Sequence, residues 1–368
     1  MITYEKITGL HLELTTKCNA ACPMCARNFR GKTRENLKIV DLSLSDCKII
    51  LSKEFLQQIE FISICGVFGD PINNSELLDI LGYIYTINNG IYINIYTNGG
   101  IRDEGWWKRV AKILVNGNVI FGIDGIDEVS SIHRRNTDIN VVFRNVKAFI
   151  GAGGSAKWDF IAFKHNERQI EQACELSRKM GFKSFQVKKT SRFFKNLYEQ
   201  DDMLDSTVLP YGKHPIYDIN GQVVSYLEMP TNCEYRNATE EQLFEIIKDC
   251  KTLENYYDSV EIECHAIKTN GIFVSALGDV YPCCTIYQQV CYGAVFEVAD
   301  KNELNECRIW QTGDTSAFNS SIKDIVNGET FKKLQEGWAK INIEDGKPKA
   351  CCRTCGKNLN MHLAQHEK

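Results

Sequence analysis

No stretch of the 368-residue chain approaches the ~20 apolar residues of a membrane span. The opening residues, MITYEKITGLHLEL, carry Glu5, Lys6 and Glu13 and lack the apolar core of a secretory signal. Together these absences predict a cytoplasmic location. Charge of one sign is also missing. The formal net charge is only −4, so neither nucleic acid nor an anionic membrane is expected as the main partner. No internal repeat or low-complexity tract interrupts the chain. CxxC pairs are scarce too: after Cys22 and Cys25 none follows until Cys352. What remains is ordinary soluble composition, 43% hydrophobic and 24% charged, at a length that suits one large domain and a smaller one.

Cysteine itself is abundant. Sixteen are many for a chain expected in a reducing compartment, where disulfides are disfavoured and clustered thiols point to metal or redox chemistry. Three, Cys18, Cys22 and Cys25, fall within one short loop, and eight lie from Cys264 onward. Cys47, Cys174 and Cys250 sit in helix-like patterns and read as small buried hydrophobes.

Periodicity sets the fold class. Apolar or alternating runs at 10–14, 59–64, 91–96, 119–123, 158–163 and 185–187 read as strands. Helical patterns lie between them, at about 45–57 with Ser43 or Ser45 as cap, through Leu77 to Ile84 after Asn73, Asn74 and Ser75, from Asp103, at 140–150, and at 167–180 before Gly181. Six strand-then-helix units predict an α/β fold, a partial (β/α)6 TIM-like barrel over residues 1–190. Residues 191–260 read as a linker or bridging segment with a helix-like piece at 240–253. Residues 261–368 read as a small cysteine-rich α+β domain, with Gly278 and Asp279 turning a hairpin between 272–276 and 280–281. In barrels of this kind chemistry gathers at the C-terminal ends of the strands. The polar motifs fall there: Cys18 to Cys25, the segment 66–71, Thr97 to Gly100, Asp124 with Gly125, and His165 with Asn166.

Three thiolates on one loop suit a four-iron cluster with one iron left open, whereas structural zinc usually takes four protein ligands. The run CNAACPMC resembles the CX3CX2C loop of the radical S-adenosylmethionine (SAM) superfamily. In that family the open iron binds the amino and carboxylate groups of SAM. Reduction of the cluster cleaves SAM to methionine and a 5′-deoxyadenosyl radical, which takes a hydrogen atom from substrate. Met24 stands where the family usually has an aromatic residue near the adenine. Further segments resemble family motifs in order. Gly66, Gly69 and Asp70 look like the Gly-rich segment that receives the SAM amino group, with Asp70 in place of the usual Glu. Thr97 and Asn98 resemble the ribose-contacting motif, and Asp124 with Arg134 the segment whose Arg meets the SAM carboxylate. His133 and Arg135 are alternatives for that role. The catalytic residue is unknown; Cys65, as a hydrogen-atom donor, and His165, facing substrate, are candidates. Each has a plainer reading, a core thiol for Cys65 and a helix cap for the neighbouring Asn166.

The C-terminal cysteines resemble a twitch or SPASM domain, the appendage that holds auxiliary [4Fe-4S] clusters. That resemblance implies one auxiliary cluster ligated by Cys264, Cys283, Cys352 and Cys355. Cys284 and Cys351 adjoin these ligands and are alternatives to them, a zinc ribbon would use the same four thiolates, and Cys291 and Cys307 leave room for a second cluster. The implied activity is hydrogen abstraction from a small molecule or peptide, for oxidation or dehydrogenation, with SAM as cofactor and flavodoxin or ferredoxin as electron donor. A peptide maturase that crosslinks or epimerises is the alternative, and a zinc-stabilised binding protein is the alternative of another class. The barrel motifs begin almost at residue 1, leaving no room for a preceding peptide-recognition domain. This favours a small substrate, or a leader peptide bound by a separate protein.

Overall fold

The fold is a computed structural model that describes residues 1–190, 192–193, 212–237, 253–295 and 314–357. Six parallel strands form in the predicted order: β1 (Gly9–Leu12), β2 (Phe61–Ile64), β3 (Tyr92–Thr97), β4 (Gly117–Gly122), β5 (Ala156–Ile161) and β6 (Ser184–Lys188). Each alternates. One set of side chains, including Leu10, Leu12, Ile62, Ile64, Ile93, Ile95, Phe121, Trp158 and Phe160, is fully buried under the helices. The other set, including His11, Ser63, Cys65, Asn94, Tyr96, Asp159, Gln186 and Lys188, is half-buried and mostly polar. The sheet therefore has an oily outer face and a polar inner one.

The helices begin where short polar side chains can bond free amides. Ser43 forms a capping box with Asp46 at α1 (Leu44–Ile50). A second start at Ser52 opens α2 (Lys53–Gln58), so the single helix expected over 45–57 is two. Ser45 lies inside α1 and does not cap it. Next come α3 (Leu77–Ile87) and α4 (Glu104–Ile113). The Asp103 side chain accepts from the Trp106 amide at 2.7 Å, and α4 turns Trp106, Trp107 and Val110 inward. A short turn, α5 (Ser130–His133), precedes α6 (Ile139–Gly151), and α7 (Ile170–Met180) ends at Gly181. Asn166 does not cap α7. Its Oδ1 accepts the Phe163 amide at 2.7 Å and its Nδ2 donates to the Asp124 and Ile161 carbonyls, bracketing two strand ends.

Two features beyond the six-strand expectation place the site. The bridging segment contains an antiparallel hairpin, β7 (Lys213–Tyr217) with β8 (Val223–Glu228). It docks on the cysteine loop: His214 Nε2 meets the Pro23 carbonyl at 3.1 Å, and Arg135 donates to the Tyr217 carbonyl at 3.0 Å. The expected C-terminal hairpin forms as β9 (Gly271–Val274) with β10 (Val280–Tyr281). It does not stand apart, because β9 pairs in parallel with β1 and gives the sheet order β10-β9-β1-β2-β3-β4-β5-β6. The cysteine-rich region thus grows from the edge of the barrel sheet, beside the strand that leads into the first cysteine loop. Five helices follow or precede it: α8 (Leu253–Ser259), α9 (His265–Lys268), α10 (Cys284–Val295), α11 (Ile322–Val326) and α12 (Glu329–Trp338), with α13 (Lys349–Cys355) closing the described chain. The helix expected over 240–253 lies outside the described residues but for Leu253, as do Cys250, Cys307 and the side chain of Cys291. Among the described residues no helix is long and apolar enough to cross a membrane.

Candidate radical and cluster sites

The cysteine loop leaves β1 through four buried residues, Glu13, Leu14, Thr15 and Thr16. Arg27, also buried, donates to the Thr16 carbonyl and closes the loop base. The Cys25 amide bonds the Cys22 carbonyl at 3.1 Å. Two donors face the Cys18 sulfur, the Ala20 amide at 3.4 Å and Asn98 Nδ2 at 3.8 Å. Burial raises the Cys18 and Cys22 thiols, and the neighbouring thiols add to it; Cys22 stands at about 11 even with Arg134 and Arg192 beside it. Buried, clustered thiols that resist ionising alone, with N–H donors aimed at one of them, fit a cationic iron cluster.

The glycines of the second strand end meet the chain's own backbone. A Cβ on Gly69 would stand 1.8 Å from the Thr15 carbonyl oxygen, and one on Gly66 would stand 2.0 Å from that of Gly69. This turn is therefore packed on the base of the cysteine loop. Gly69→Ala is expected to push the two apart, costing about 1–3 kcal/mol and lowering iron content on reconstitution. Gly82→Ala, in open space on α3, should leave both unchanged. Thermal unfolding and iron analysis of the pair check it.

Asp70 is fully buried and joins the second strand end to the third. Its Oδ1 accepts Thr97 Oγ1 at 2.8 Å, and its Oδ2 accepts both the backbone amide and Nδ2 of Asn98 at 2.7 Å. Asn98 in turn bonds Asn19 in the cysteine loop. Thr97, Asn98 and Asp70 thus hold the loop in place as one network.

Asp124 is 0% exposed and accepts three bonds: His133 Nδ1 at 2.7 Å, Arg134 Nε at 2.6 Å, and the Ile161 amide at 2.7 Å. Burial alone would raise it, but the Arg134 guanidinium and His133 outweigh burial and hold it at about 2. The three basic candidates separate cleanly. His133 is committed to Asp124 and packed on Phe163 at 4.8 Å. Arg135 is committed to the hairpin. Arg134 uses Nε for Asp124 and lies over Gly122, where a Cβ would stand 2.5 Å from its Nη2. Its Nη1 and Nη2 have no hydrogen-bond partner among the described residues, and it sits close enough to Cys22 to lower that thiol.

Met24 is buried with Phe163, Phe193, Ile216 and Leu227, so the hairpin and the fifth strand end close over it. His165 stacks on Phe163 at 5.3 Å, and its Nε2 is buried with no partner among the described residues. Burial and nearby His133 lower it to about 4, so it is neutral. Cys65 lies on the inner face, raised to about 12 by burial and by Asp70.

Sequence reasoning missed two groups. Asp159 and Lys188 pair across the inner face at 3.5 Å, and Lys188 also donates to Gln186 at 2.8 Å. Burial raises the Asp159 carboxyl. Below them Asn118 bonds Tyr92 Oη and Asn94 Oδ1, a self-satisfied polar floor. The polar alternation along β3, β5 and β6 carried this signal. The other group is Glu13, 0% exposed, whose Oε1 accepts the Phe68 amide at 2.7 Å while Oε2 has no partner among the described residues. Burial pushes it up to about 7 against those amide bonds. A carboxyl raised on folding costs stability as pH climbs from its unfolded value, 4.5, toward about 7, and the loss is complete above that. Glu13→Gln keeps the Phe68 acceptor and is expected to unfold up to about 3 kcal/mol harder at about pH 8, with little difference at about pH 4. Urea denaturation at both values tests this; equal pH slopes would reject it.

In the C-terminal region, Cys264 directly precedes α9, Cys283 precedes α10, and Cys351, Cys352 and Cys355 lie on α13. A bridge between Ile262 and Gly356, with the Glu263 amide on the Cys355 carbonyl at 2.8 Å, lays Cys264 beside Cys355. Burial raises both thiols, and Cys283 adds to each. Among the described residues, at this site and at the Cys18–Cys25 loop alike, no group of three His, Cys, Asp or Glu side chains is placed to hold a single metal ion.

Residues 12–177 match the family model of the Radical SAM superfamily, and residues 264–356 match that of an iron–sulfur cluster-binding domain, SPASM. No curated protein matches the sequence significantly. Among solved structures, Streptococcus suis SuiB bound to S-adenosylmethionine is similar at 13% identity and TM-score 0.53, over 88% of this chain and 66% of SuiB. The chain therefore spans slightly under two thirds of SuiB's length. The anSMEcpe protein with bound AdoMet is similar at 15% identity and TM-score 0.52, over 98% of this chain and 91% of that one. Its complex with AdoMet and the Kp18Cys peptide aligns at 16% identity and TM-score 0.50, over 98% and 95%. At these identities the likeness is one of fold.

Proposed function

The chain belongs to the radical SAM superfamily and carries a SPASM iron–sulfur domain, and from that premise we propose that it oxidises a polar peptide substrate held against the inner face of the barrel. The family's cofactors are a [4Fe-4S] cluster, SAM and auxiliary iron–sulfur clusters, which supply reductive cleavage of SAM to a 5′-deoxyadenosyl radical and storage for single electrons. Cys18, Cys22 and Cys25 are the proposed ligands of the first cluster, and Cys264, Cys283, Cys352 and Cys355, with Cys284 and Cys351 as alternatives, those of the auxiliary one. The observation that carries the reading is Arg134. Asp124 fixes it by Nε beside Cys22 and leaves both terminal nitrogens for a carboxylate, the bidentate partner that guanidinium suits best. Gly66 to Asp70 and Thr97 to Asn98 hold the opposite rim of the same mouth, where they fit the amino and ribose groups of SAM. His165, neutral and unpartnered at Nε2, has a donor or acceptor free for substrate. Asp159, raised by burial beside Lys188, is suited to take a proton from an oxidised substrate.

A peptide is favoured over a small molecule because the similar anSMEcpe fold carries one, and because the inner face offers spaced polar groups along several strands. A flavodoxin or ferredoxin is the proposed electron donor. Anaerobically reconstituted, reduced protein should release 5′-deoxyadenosine and methionine from SAM. Added to extract from deuterated cells, it should form singly deuterated 5′-deoxyadenosine, and protease treatment of the extract should abolish the label. Label that survives protease overturns the peptide reading. Zinc in place of iron would overturn the whole proposal.

A further inference from the structure

The segment that follows Cys25 wraps the outside of the cysteine loop. Asn28–Phe29 and Lys32–Thr33 pair as a short antiparallel hairpin. The Asn28 amide donates to the Cys25 carbonyl at 2.9 Å, and Asn28 Nδ2 to the Cys22 carbonyl at 3.0 Å. Arg34 Nε donates to the Ala26 carbonyl at 3.0 Å. Further on, Thr16 Oγ1 donates to the Lys38 carbonyl at 2.7 Å and Thr15 bridges to Asp41, so residues 38–41 lie along the chain that leads into Cys18. One end of the segment meets the turn between β7 and β8, where a Cβ on Gly31 would stand 2.0 Å from the Asp218 carbonyl oxygen. The other end reaches the C-terminal region, because Leu37 is buried with Phe68, Phe273, Tyr281 and Tyr287.

This outer layer is basic in a chain whose net charge is −4. Residues 27–38 carry Arg27, Arg30, Lys32, Arg34 and Lys38 against Glu35 alone. Arg27 is buried in the loop base, whereas Lys32 and Lys38 are exposed and Arg30 and Arg34 half-buried. Of the nearby carboxylates, Asp41 pairs with Lys17 at 2.5 Å, and Asp218 accepts amides of its own turn. Among the basic groups stand two apolar side chains, Phe29 at 43% exposed and Ile39 at 48%. The Arg30 and Arg34 guanidiniums lie 5.5 and 4.8 Å from the centre of the Phe29 ring. Arg30 holds φ at +44°, in a turn position where Asn or Gly is usual. An exposed aromatic flanked by arginines, with lysines around it, has the anatomy of a protein interface. Whatever docks here is separated from the barrel interior by the backbone of the cysteine loop, whose Cys18 sulfur faces Asn98 on the barrel side. A substrate would have to pass that backbone to meet the radical; an electron does not.

We propose that Phe29, Arg30, Lys32, Arg34, Lys38 and Ile39 form the docking surface for a flavodoxin, an acidic carrier that delivers the electron to the first cluster. This rests on the radical SAM reading and chooses between the two carriers named there. The carrier's negative charge complements the basic strip, which steers encounter and fixes orientation. Its flavin is a flat ring at the edge of the protein, and the Phe29 ring offers it an apolar contact that a cluster shielded by its own loop would not use. One electron leaves the two-electron-reduced flavin and enters the oxidised cluster, and no bond forms or breaks between the two proteins.

The test uses the full chain, anaerobically reconstituted, and a purified acidic flavodoxin with FMN bound. Calorimetric titration at an ionic strength of about 0.01 M, where exposed charges act over about 30 Å, should show binding that weakens at about 0.15 M. Lys32→Glu combined with Lys38→Glu should weaken it about tenfold or more at the lower salt, and by less at the higher. The same change of charge on the exposed side of α4, Lys108→Glu with Lys112→Glu, should leave the affinity as it was. Phe29→Ala should weaken binding at both salts. In turnover, the Lys32 and Lys38 variant should form 5′-deoxyadenosine more slowly with reduced flavodoxin and at the parent rate with dithionite. Equal affinity in parent and variant overturns the proposal, as does an equal loss in the α4 control. A ferredoxin that binds as tightly and is lost through the same substitutions overturns the choice of flavodoxin. A slowdown of the same size with dithionite makes the strip part of the cluster scaffold and overturns the docking role. Parent protein that binds flavodoxin through the strip, yet cleaves no SAM with either reductant, keeps the docking surface and defeats the radical reading beneath it.

Discussion

Cys22→Ala is expected to abolish formation of 5′-deoxyadenosine and to lower reconstituted iron from about eight to about four per chain, the remainder sitting in the auxiliary site. The loss should be complete because the loop has no spare ligand. Cys18 and Cys25 are the other thiols of the loop, and among the described residues Cys65 is the one further cysteine on the adjoining inner face of the barrel strands. Cys65 is committed to the end of β2, where its amide bonds the Leu12 carbonyl at 3.2 Å. Cys22 is also the thiol beside Arg134. Its removal therefore strips both the cluster and the negative partner that Arg134 gains when the thiol is ionised. Serine at the same position should fare little better, since clusters of this kind are held by thiolates. The readouts are iron, sulfide and product chromatography on protein whose circular dichroism matches the parent. Cleavage at a tenth of the parent rate or more, with about four irons retained, would refute the assignment of Cys22.

How much of this was legible in the chain depends on the range of each interaction. β1, β2, β3 and β5 were readable because each buries one face, which writes a local period of two, and β4 because its four central residues form a continuous buried run. Strand ends shifted by two or three residues, as at 59–64 against Phe61–Ile64, since no local signal fixes where pairing stops. The hairpin β7–β8 was not legible. Pro215 lies inside β7 and reads against a strand, and Val223, Val224 and Tyr226 are exposed with only Leu227 buried in β8, so no alternation marks it. What defines that hairpin is docking on Pro23 and Arg135, 191 and 82 residues away in sequence. The pairing of β9 with β1 is of the same kind, for alternation identifies a strand and never names its partner. Within the site, the cysteines were plain and their roles were not. Asp124 could be placed at a strand end, but only the fold shows that it sorts His133, Arg134 and Arg135 into different tasks.

Asp124→Asn should show how far the mouth of the barrel depends on one carboxylate. The change removes the charge between His133 and Arg134 and leaves one oxygen to serve three donors. The amide nitrogen must then face at least one N–H. Breaking one partner of a buried pair costs about 3–5 kcal/mol, and no water reaches a residue that is 0% exposed to soften it. The sign with pH follows from the depressed carboxyl. Asp124 stands at about 2 when folded, below its ordinary value of 3.8, so its contribution is whole above that value and fades as pH falls through about 2. The gap in unfolding free energy between parent and variant, both free of cluster, should be widest near neutral pH and narrow below about pH 4. A gap that stays constant with pH would mean that the carboxylate charge is not what holds the node. The same variant frees Arg134 to swing, so affinity for SAM should fall while Asp70→Asn, at the opposite rim, leaves the Arg134 geometry intact. Equilibrium binding of SAM to the reconstituted Asp124→Asn protein separates the two effects. Undiminished affinity in a variant that has lost several kcal/mol of stability would leave Asp124 as a structural residue and remove Arg134 from the carboxylate site.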